Sequence, residues 1–508
     1  MLILESGPAV DRSAAVAAFQ RAVAKTPESA YPPLPYAPRP TVADYHGYFI
    51  QDGPLLFKST YERRVGGTTW HWLGTALRLV PGDFHIRSRY GVGVDWPLDY
   101  AELEPWYAAA EKALGVAGDS TQDLGGPRSS PFPLPAIPPT YLDRQLAAAA
   151  ARVGLRVQST PQARNSAPYD GRPACCGSAS CIPICPIGAK YDAAVHAAAA
   201  VAAGARLEER AVVFAVEVDA SERVSAVRFR RPDRSDGRAT ARVFVLAAHA
   251  IETPKILLMS RSEKRPGGVA NSSDQVGRNL MDHPVQLSWA LARQPLFPYR
   301  GPLATSGIEE LRDGEWRRER GAFRVEIGND GWTWPGGSPP DLAAGLARQG
   351  LRGQALIAAL NERAARQFRL AGLVEQLGDA ENRVTPAWDQ PDAIGIPRPR
   401  IRYRIGEYER RGMAEARRVH RLIFDALGVS EQHHDDEHRG AGHVMGTCRM
   451  GTDPRTSVVN ADGRAHDHAN LYLVGSGTFP SSGASNPTLT IAALALRTAS
   501  VIQRDRAG

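Results

Sequence analysis

The sequence predicts a mixed α/β chain that becomes α+β in its second half. Three observations over its 508 residues predict this. Short strand-like runs separated by turns alternate over 211–246 and then lead into a helix. Long stretches elsewhere carry apolar residues at helical spacing. Residues 285–440 differ from their surroundings, with several Trp, many Arg and long helices, and read as a separate domain. Composition agrees, since 43% hydrophobic and 23% charged residues are ordinary globular usage.

In chain order, Leu2 to Leu4 reads as a strand that ends in an acid, Glu5. A Rossmann unit holds the adenosine ribose with an acid in that position, about 20 residues after a Gly-rich phosphate loop. That loop is absent, and no G-x-G-x-x-G occurs elsewhere, so Glu5 taken alone reads as a surface acid. Residues 28–60, rich in Pro and Tyr, form an extended loop leading to Arg63-Arg64-Val65-Gly66-Gly67-Thr68-Thr69-Trp70-His71-Trp72. Paired glycines there let backbone approach a ligand closely, or simply make a tight turn.

Residues 98–116 are helical, 126–139 a Pro-rich link, and Leu146 to Val153 and Ala193 to Ala203 Ala-rich helices around a loop at 160–190. Strands follow at Ala211 to Val218, Val224 to Arg230 and Arg242 to Leu246, with turns at 219–221 and 235–237. Ala247-Ala248-His249-Ala250 then turns into a helix through Met259, and a strand, small-residue turn and helix make a nucleotide-site geometry. Helices are expected over Gln354 to Leu370 and Glu407 to Leu427, and a closing helix follows the Gly/Ser/Asn-rich turns of 441–500.

The charge balance, 61 − 54 = +7, comes almost wholly from Arg, with Lys at six positions. A nucleic-acid surface concentrates basic residues on one element. Here they are scattered among acids, even in the Arg317 to Arg320 cluster, which reads as a solvated charged face. Nucleic-acid binding is therefore not expected. No apolar run approaches the roughly 18 residues of a membrane span, and the start MLILESGP lacks the basic and apolar regions of a secretory signal. His433 and His434, beside an acidic run, read as solvated, and His466 and His468 as loop residues.

Four of five cysteines fall in one run, Cys175-Cys176-x4-Cys181-x3-Cys185-Pro186. The x3-Cys-Pro ending is that of ferredoxin runs, and thiolates at this density favour soft metals. Neighbouring side chains diverge, so Cys175 and Cys176 do not both face one cluster. Cys175, Cys181 and Cys185 then suit a 3Fe–4S cluster. Zinc and a redox-inert thiol knot are the rivals, though structural zinc prefers paired C-x2-C hooks. Cys448 reads as a buried small hydrophobe.

Together these residues resemble the glucose–methanol–choline (GMC) oxidoreductase family. The likeness is carried, in the family's order, by Arg64 to Trp72, AAHAIETPKILL from Ala247, GRNLMDHP from Gly277, HVMGTCRMG from His443 and GSGTFPSSGASNPTLTI from Gly475. Within the family, the cysteine run resembles the catalytic subunit of bacterial FAD-dependent glucose dehydrogenases, with sorbitol and fructose dehydrogenases similar. The resemblance implies a Rossmann-like FAD-binding domain (1–75, 160–284 and 441–508, with an iron–sulfur loop at 172–190). It further implies a substrate domain on an antiparallel sheet (76–159 and 285–440). The chain departs from the family in lacking the first strand and Gly-rich loop of the FAD-binding domain, which reads as a truncated start.

The resemblance makes His443 the base that removes a hydroxyl proton, a task suited to His near neutral pH, and Asn486 its partner on the substrate oxygen. FAD contacts are expected from Glu5, Gly66, Gly67, Thr68, His71, Trp72, Val213, Ala248, Gly475, Ser476, Pro487 and Thr488. Some relatives bond flavin covalently at a His near the position of His71, and a noncovalent contact is the other reading. The implied activity is oxidation of a sugar hydroxyl, first of all glucose at C1 to the lactone, by hydride transfer to FAD. Electrons would leave through the cluster to a cytochrome c subunit or a quinone. A small partner subunit would carry the export signal to the periplasmic face of the inner membrane, with Cys176 at or near that contact. The alternatives are a sorbitol- or fructose-type dehydrogenase, an oxidase, and a chain unable to bind FAD.

Overall fold

The computed structural model describes residues 1–23, 26–330 and 339–507. Residues 331–338, inside the stretch expected as substrate domain, lie outside the described residues. The architecture is mixed α/β with several sheets, as the sequence predicts.

Two short parallel pairs belong to the expected nucleotide-binding part. Leu2–Leu4 pairs with Arg206–Glu208, and Phe244–Leu246 pairs with Leu471–Leu473. Neither Leu2–Leu4 nor Phe244–Leu246 has a second strand partner among the described residues, and both line one large cavity. An antiparallel three-stranded sheet, Val212–Val218, Val224–Arg230 and Asp236–Ala239, stands beside them. Its third strand was expected as a turn. The actual reversal lies earlier, where Arg231 N–H reaches Ser235 O at 2.9 Å. Arg230 then clasps Asp236 across the ladder at 2.7 Å, which favours pairing over a wider turn.

The second half is built on a seven-stranded antiparallel sheet. Its central strands are Pro284–Leu291, Gln367–Val374 and Phe323–Gly328. These strands are buried over almost their whole length, and their polar positions, such as Gln286, Ser288, Arg324 and Glu326, are buried among apolar ones at alternate places. The helix expected over Gln354 to Leu370 ends at Arg366. Gln367 opens a strand instead, because Phe368 and Leu370 bury in the sheet core.

Helix Glu407–Leu427 has the expected bounds. Glu409 caps its first turn by accepting from Gly406 N–H at 2.8 Å, and Gly428 closes it with φ 72°. Its apolar face, Ala416, Val419, Ile423 and Phe424, packs on the sheet. In the edge strand Glu431–His434 the solvated reading holds for His433, which is exposed, and fails for His434. His434 is half-buried, 2.8 Å from Ser288 Oγ, and stacks on Phe424. Arg317 is likewise not solvated, since it is fully buried against Glu375 at 2.5 Å and Asp83 at 2.8 Å. No helix among the described residues is long and apolar enough to cross a membrane.

Candidate active site

A cavity of ≈ 1270 Å³ runs from Leu2–Leu4 to the start of helix Thr488–Ala507. That exceeds the roughly 300–1,000 Å³ of drug-sized pockets. It gathers almost every predicted contact. Glu5 and Val213 line one part, Gly67, Thr68, His71 and Trp72 a second, and Ala248, Gly475, Ser476, Pro487 and Thr488 a third. Gly66 does not line it. Gly66 (φ +95°) instead makes the turn, because a Cβ there would meet the Trp70 indole nitrogen at 2.6 Å. Gly67 (φ +53°) and Gly475 (φ +120°) face open space, so a flat ring system can reach their backbone. The Glu5 carboxylate is not a free surface acid, since it accepts from Ser6 Oγ and Gly7 N–H at 2.9 and 3.0 Å.

His443 and Asn486 meet at the cavity wall, where Asn486 Nδ2 lies 3.4 Å from His443 Nε2. The neighbouring groups fix the proton positions. His283 Nε2 lies 2.8 Å from Gly483 O, a carbonyl that can only accept, so Nε2 carries the proton. Neutral His283 therefore offers a lone pair at Nδ1, and His443 Nδ1, 2.8 Å away, must donate to it. That leaves the lone pair of His443 on Nε2, facing the cavity. Arg324 Nη1, which can only donate, lies 3.4 Å from Asn486 Oδ1 and so turns the amide NH2 towards His443. Arg324 is itself fully buried between Glu309 and Glu326 at 2.8 and 3.2 Å.

Burial holds both rings neutral. It pushes His283 down to about 4 and His443 well below 6.5, the charges on His283 and Arg324 pushing His443 further in the same direction. Asp282 sets the backbone of both histidines by accepting from His283 N–H at 2.7 Å and His443 N–H at 2.8 Å. Burial raises its carboxyl to about 6 against these donors.

The cysteine run lies behind this cavity. Cys175, Cys181 and Cys185 do not line it, Cys176 is exposed rather than buried in a core, and Cys448 is buried as expected. Cys175 Sγ accepts from Gly177 N–H at 3.4 Å and Cys185 Sγ from Lys190 N–H at 3.5 Å. Arg164 Nη2 lies 3.1 Å from Cys181 Sγ. Burial raises the Cys175 thiol, and charge on Cys181 and Cys185 adds to the rise, so the three sulfurs stand within each other's field. Among the described residues no three His, Cys, Asp or Glu side chains close round a single metal ion.

GMC oxidoreductase family profiles match residues 93–285 and 379–495. The chain is 39% identical over 517 aligned residues to the fructose dehydrogenase large subunit of Gluconobacter japonicus, covering 99% of this chain and 93% of that one. The chain belongs to the GMC oxidoreductase family. It is 31% identical to paromamine 6'-oxidase of Streptomyces fradiae, over 87% of this chain and 78% of that one. Pyridoxine 4-oxidase from Mesorbium loti shares the fold at TM-score 0.67 and 18% identity, over 99% of this chain and 94% of that one. A variant of Aspergillus oryzae formate oxidase does so at TM-score 0.64 and 14% identity, over 99% and 93%. As a GMC oxidoreductase the chain is an FAD-dependent oxidoreductase acting on CH–OH groups. The cavity fits that cofactor, since it is long and offers two glycine backbones to a flat ring.

Sequence reasoning missed His283, Asp282 and Arg324. The GRNLMDHP motif pointed to the first two without giving them roles. Arg324 carries no local signal, since only sheet pairing brings it beneath Asn486.

Proposed function

We propose that this GMC oxidoreductase is a dehydrogenase of sugars or polyols. Bound FAD supplies the acceptor for the hydride that leaves the alcohol carbon. His443 Nε2 takes the hydroxyl proton, and Asn486 Nδ2 holds the oxygen as it becomes a carbonyl. The second imidazole, His283, stabilises the protonated base by accepting from its Nδ1–H. Gly483 O ends that hydrogen-bond chain, so the proton leaves His443 through the cavity. The observation that carries the reading is the unprotonated Nε2 of His443 beside the Asn486 amide.

Glu5 and Val213 would hold the adenosine end. Gly67, Thr68, His71 and Trp72 would hold the flavin with Ala248, Gly475, Ser476, Pro487 and Thr488, and Gly66 would support the turn. The FAD-binding domain would comprise 1–75, 160–284 and 441–508. Cys175, Cys181 and Cys185 would carry a 3Fe–4S cluster, a reading supported by the N–H donors and the cation aimed at their sulfurs. Electrons would then leave singly to a cytochrome c subunit or a quinone, at the periplasmic face of the inner membrane, with a small partner subunit assisting export. Similarity to a protein named as a large subunit supports partners. That similarity also favours a fructose-type substrate over glucose.

The test is His443→Ala in flavin-loaded protein. Loss of a general base costs about 10²–10⁴-fold in rate, so flavin should stay bound while its anaerobic reduction by sugar slows by that factor. A rate near that of the unaltered protein would remove His443 from the chemistry.

A further inference from the structure

Arg164 and Lys190 are buried at 1% and 2% exposure. Neither makes an ion pair with a carboxylate among the described residues. A buried charge without a counter-charge is strongly unfavourable. On one side both residues meet the cysteine loop, Arg164 through its guanidinium, 3.1 Å from Cys181 Sγ, and Lys190 through its backbone N–H, which reaches Cys185 Sγ at 3.5 Å. On the other side both hold the backbone of the cavity wall. Lys190 Nζ donates to Trp70 O and Trp72 O at 2.8 and 2.6 Å, and Arg164 Nη2 to Leu73 O at 2.7 Å. Arg164 also keeps Nε and Nη1 buried with no partner.

We propose that Arg164 and Lys190 form a cationic bridge between the substrate cavity and the thiol cluster, offsetting the cluster's negative charge and tying its loop to the wall that carries His71 and Trp72. This rests on the 3Fe–4S reading above. Three thiolates around an oxidised core of single positive charge leave two negative charges, which the two cations match. The spare N–H donors of Arg164 suit sulfur acceptors. Hydrogen bonds and charge at the sulfurs tune a cluster's reduction potential, so these positioning residues favour the reduced cluster. Oxidation of one alcohol to a carbonyl yields two electrons and two protons. The electrons cross one at a time and reduce two equivalents of a one-electron acceptor such as a cytochrome c haem, and the protons pass to solvent.

The test compares Lys190→Met and Lys190→Arg in anaerobically purified, flavin-loaded protein. Iron and sulfide per chain, the cluster midpoint potential followed by electron paramagnetic resonance, and flavin reduction by sugar are read separately. Lys190→Met should lower the potential by about 59 mV, a tenfold shift for one electron. The sharing of electrons between reduced flavin and cluster should shift about tenfold towards the flavin by the same factor, while sugar still reduces the flavin. Lys190→Arg should restore both. Loss of iron from the Met variant alone also supports the bridge, since charge then decides retention. Unchanged potential and electron sharing in iron-loaded Lys190→Met overturns the bridge alone, as does iron loss from both variants with flavin reduction intact. Unaltered protein that takes up no iron or sulfide overturns the cluster reading, and the bridge with it.

Discussion

At His443 the chemistry turns on one lone pair. Gly483 O orients His283, His283 orients His443, and Arg324 orients Asn486, so Nε2 is unprotonated before substrate arrives. The base works only when neutral. Its pKa lies below the ordinary 6.5, so the neutral form persists to lower pH than in a free imidazole. The pH profile of kcat/KM should therefore be level above pH 6.5 and fall only on the acid side of it. An acid limb centred above pH 6.5 would contradict this arrangement. His443 and Asn486 were legible in the sequence because each sits in a compact motif. The roles of His283 and Arg324 were not, because a tautomer depends on contacts between residues 160 or more positions apart.

At the scale of the element, helix Glu407–Leu427 fastens the antiparallel sheet through Phe424, whose ring meets Phe368 edge-on at 5.5 Å and stacks on His434 at 5.9 Å. Removing a buried aromatic side chain costs about 3–5 kcal/mol, so Phe424→Ala should lower the unfolding free energy from denaturant titration by that much. Loss of less than about 1 kcal/mol would show the helix to be weakly coupled, since truncations at well-packed sites exceed that figure. This helix could be read from its amphipathic period and caps. The strands beneath it were passed over although Phe323, Val325 and Ile327 alternate with Arg324 and Glu326, because those buried polar residues find their partners only in the fold. The Asp236–Ala239 strand was misread for a different reason. Asp and Gly at its start signal a turn, and a cross-strand Arg230 pair overrides that signal.

Over the whole molecule, enclosed histidines set the response to acid. His283 and His420 are fully buried, and His249 and His443 stand at the cavity wall. Burial holds His249 and His283 at about 4 and His420 at about 3, with His443 also well below 6.5. In the unfolded chain each titrates near 6.5, so unfolding takes up protons below that pH. Stability then falls by about 1.4 kcal/mol per pH unit for each histidine. Asp83 and Asp282, raised to about 6, act in the opposite sense below pH 6. Burial also holds His434 and His438 at about 4, while it raises Asp392 and Glu409. The histidines outnumber the carboxylates, so the melting temperature should drop between pH 7 and pH 5, and a constant or higher value would refute this balance.

The proposed function requires that this cavity hold FAD and that a sugar or polyol reduce it there. Anaerobic titration of the purified, FAD-supplemented chain with D-fructose, D-sorbitol and D-glucose, following flavin absorbance, tests it most directly. The flavin should stay bound and be bleached by one equivalent of substrate, with fructose or sorbitol ahead of glucose. Protein that retains no flavin, or a bound flavin that none of the three reduces, would contradict it.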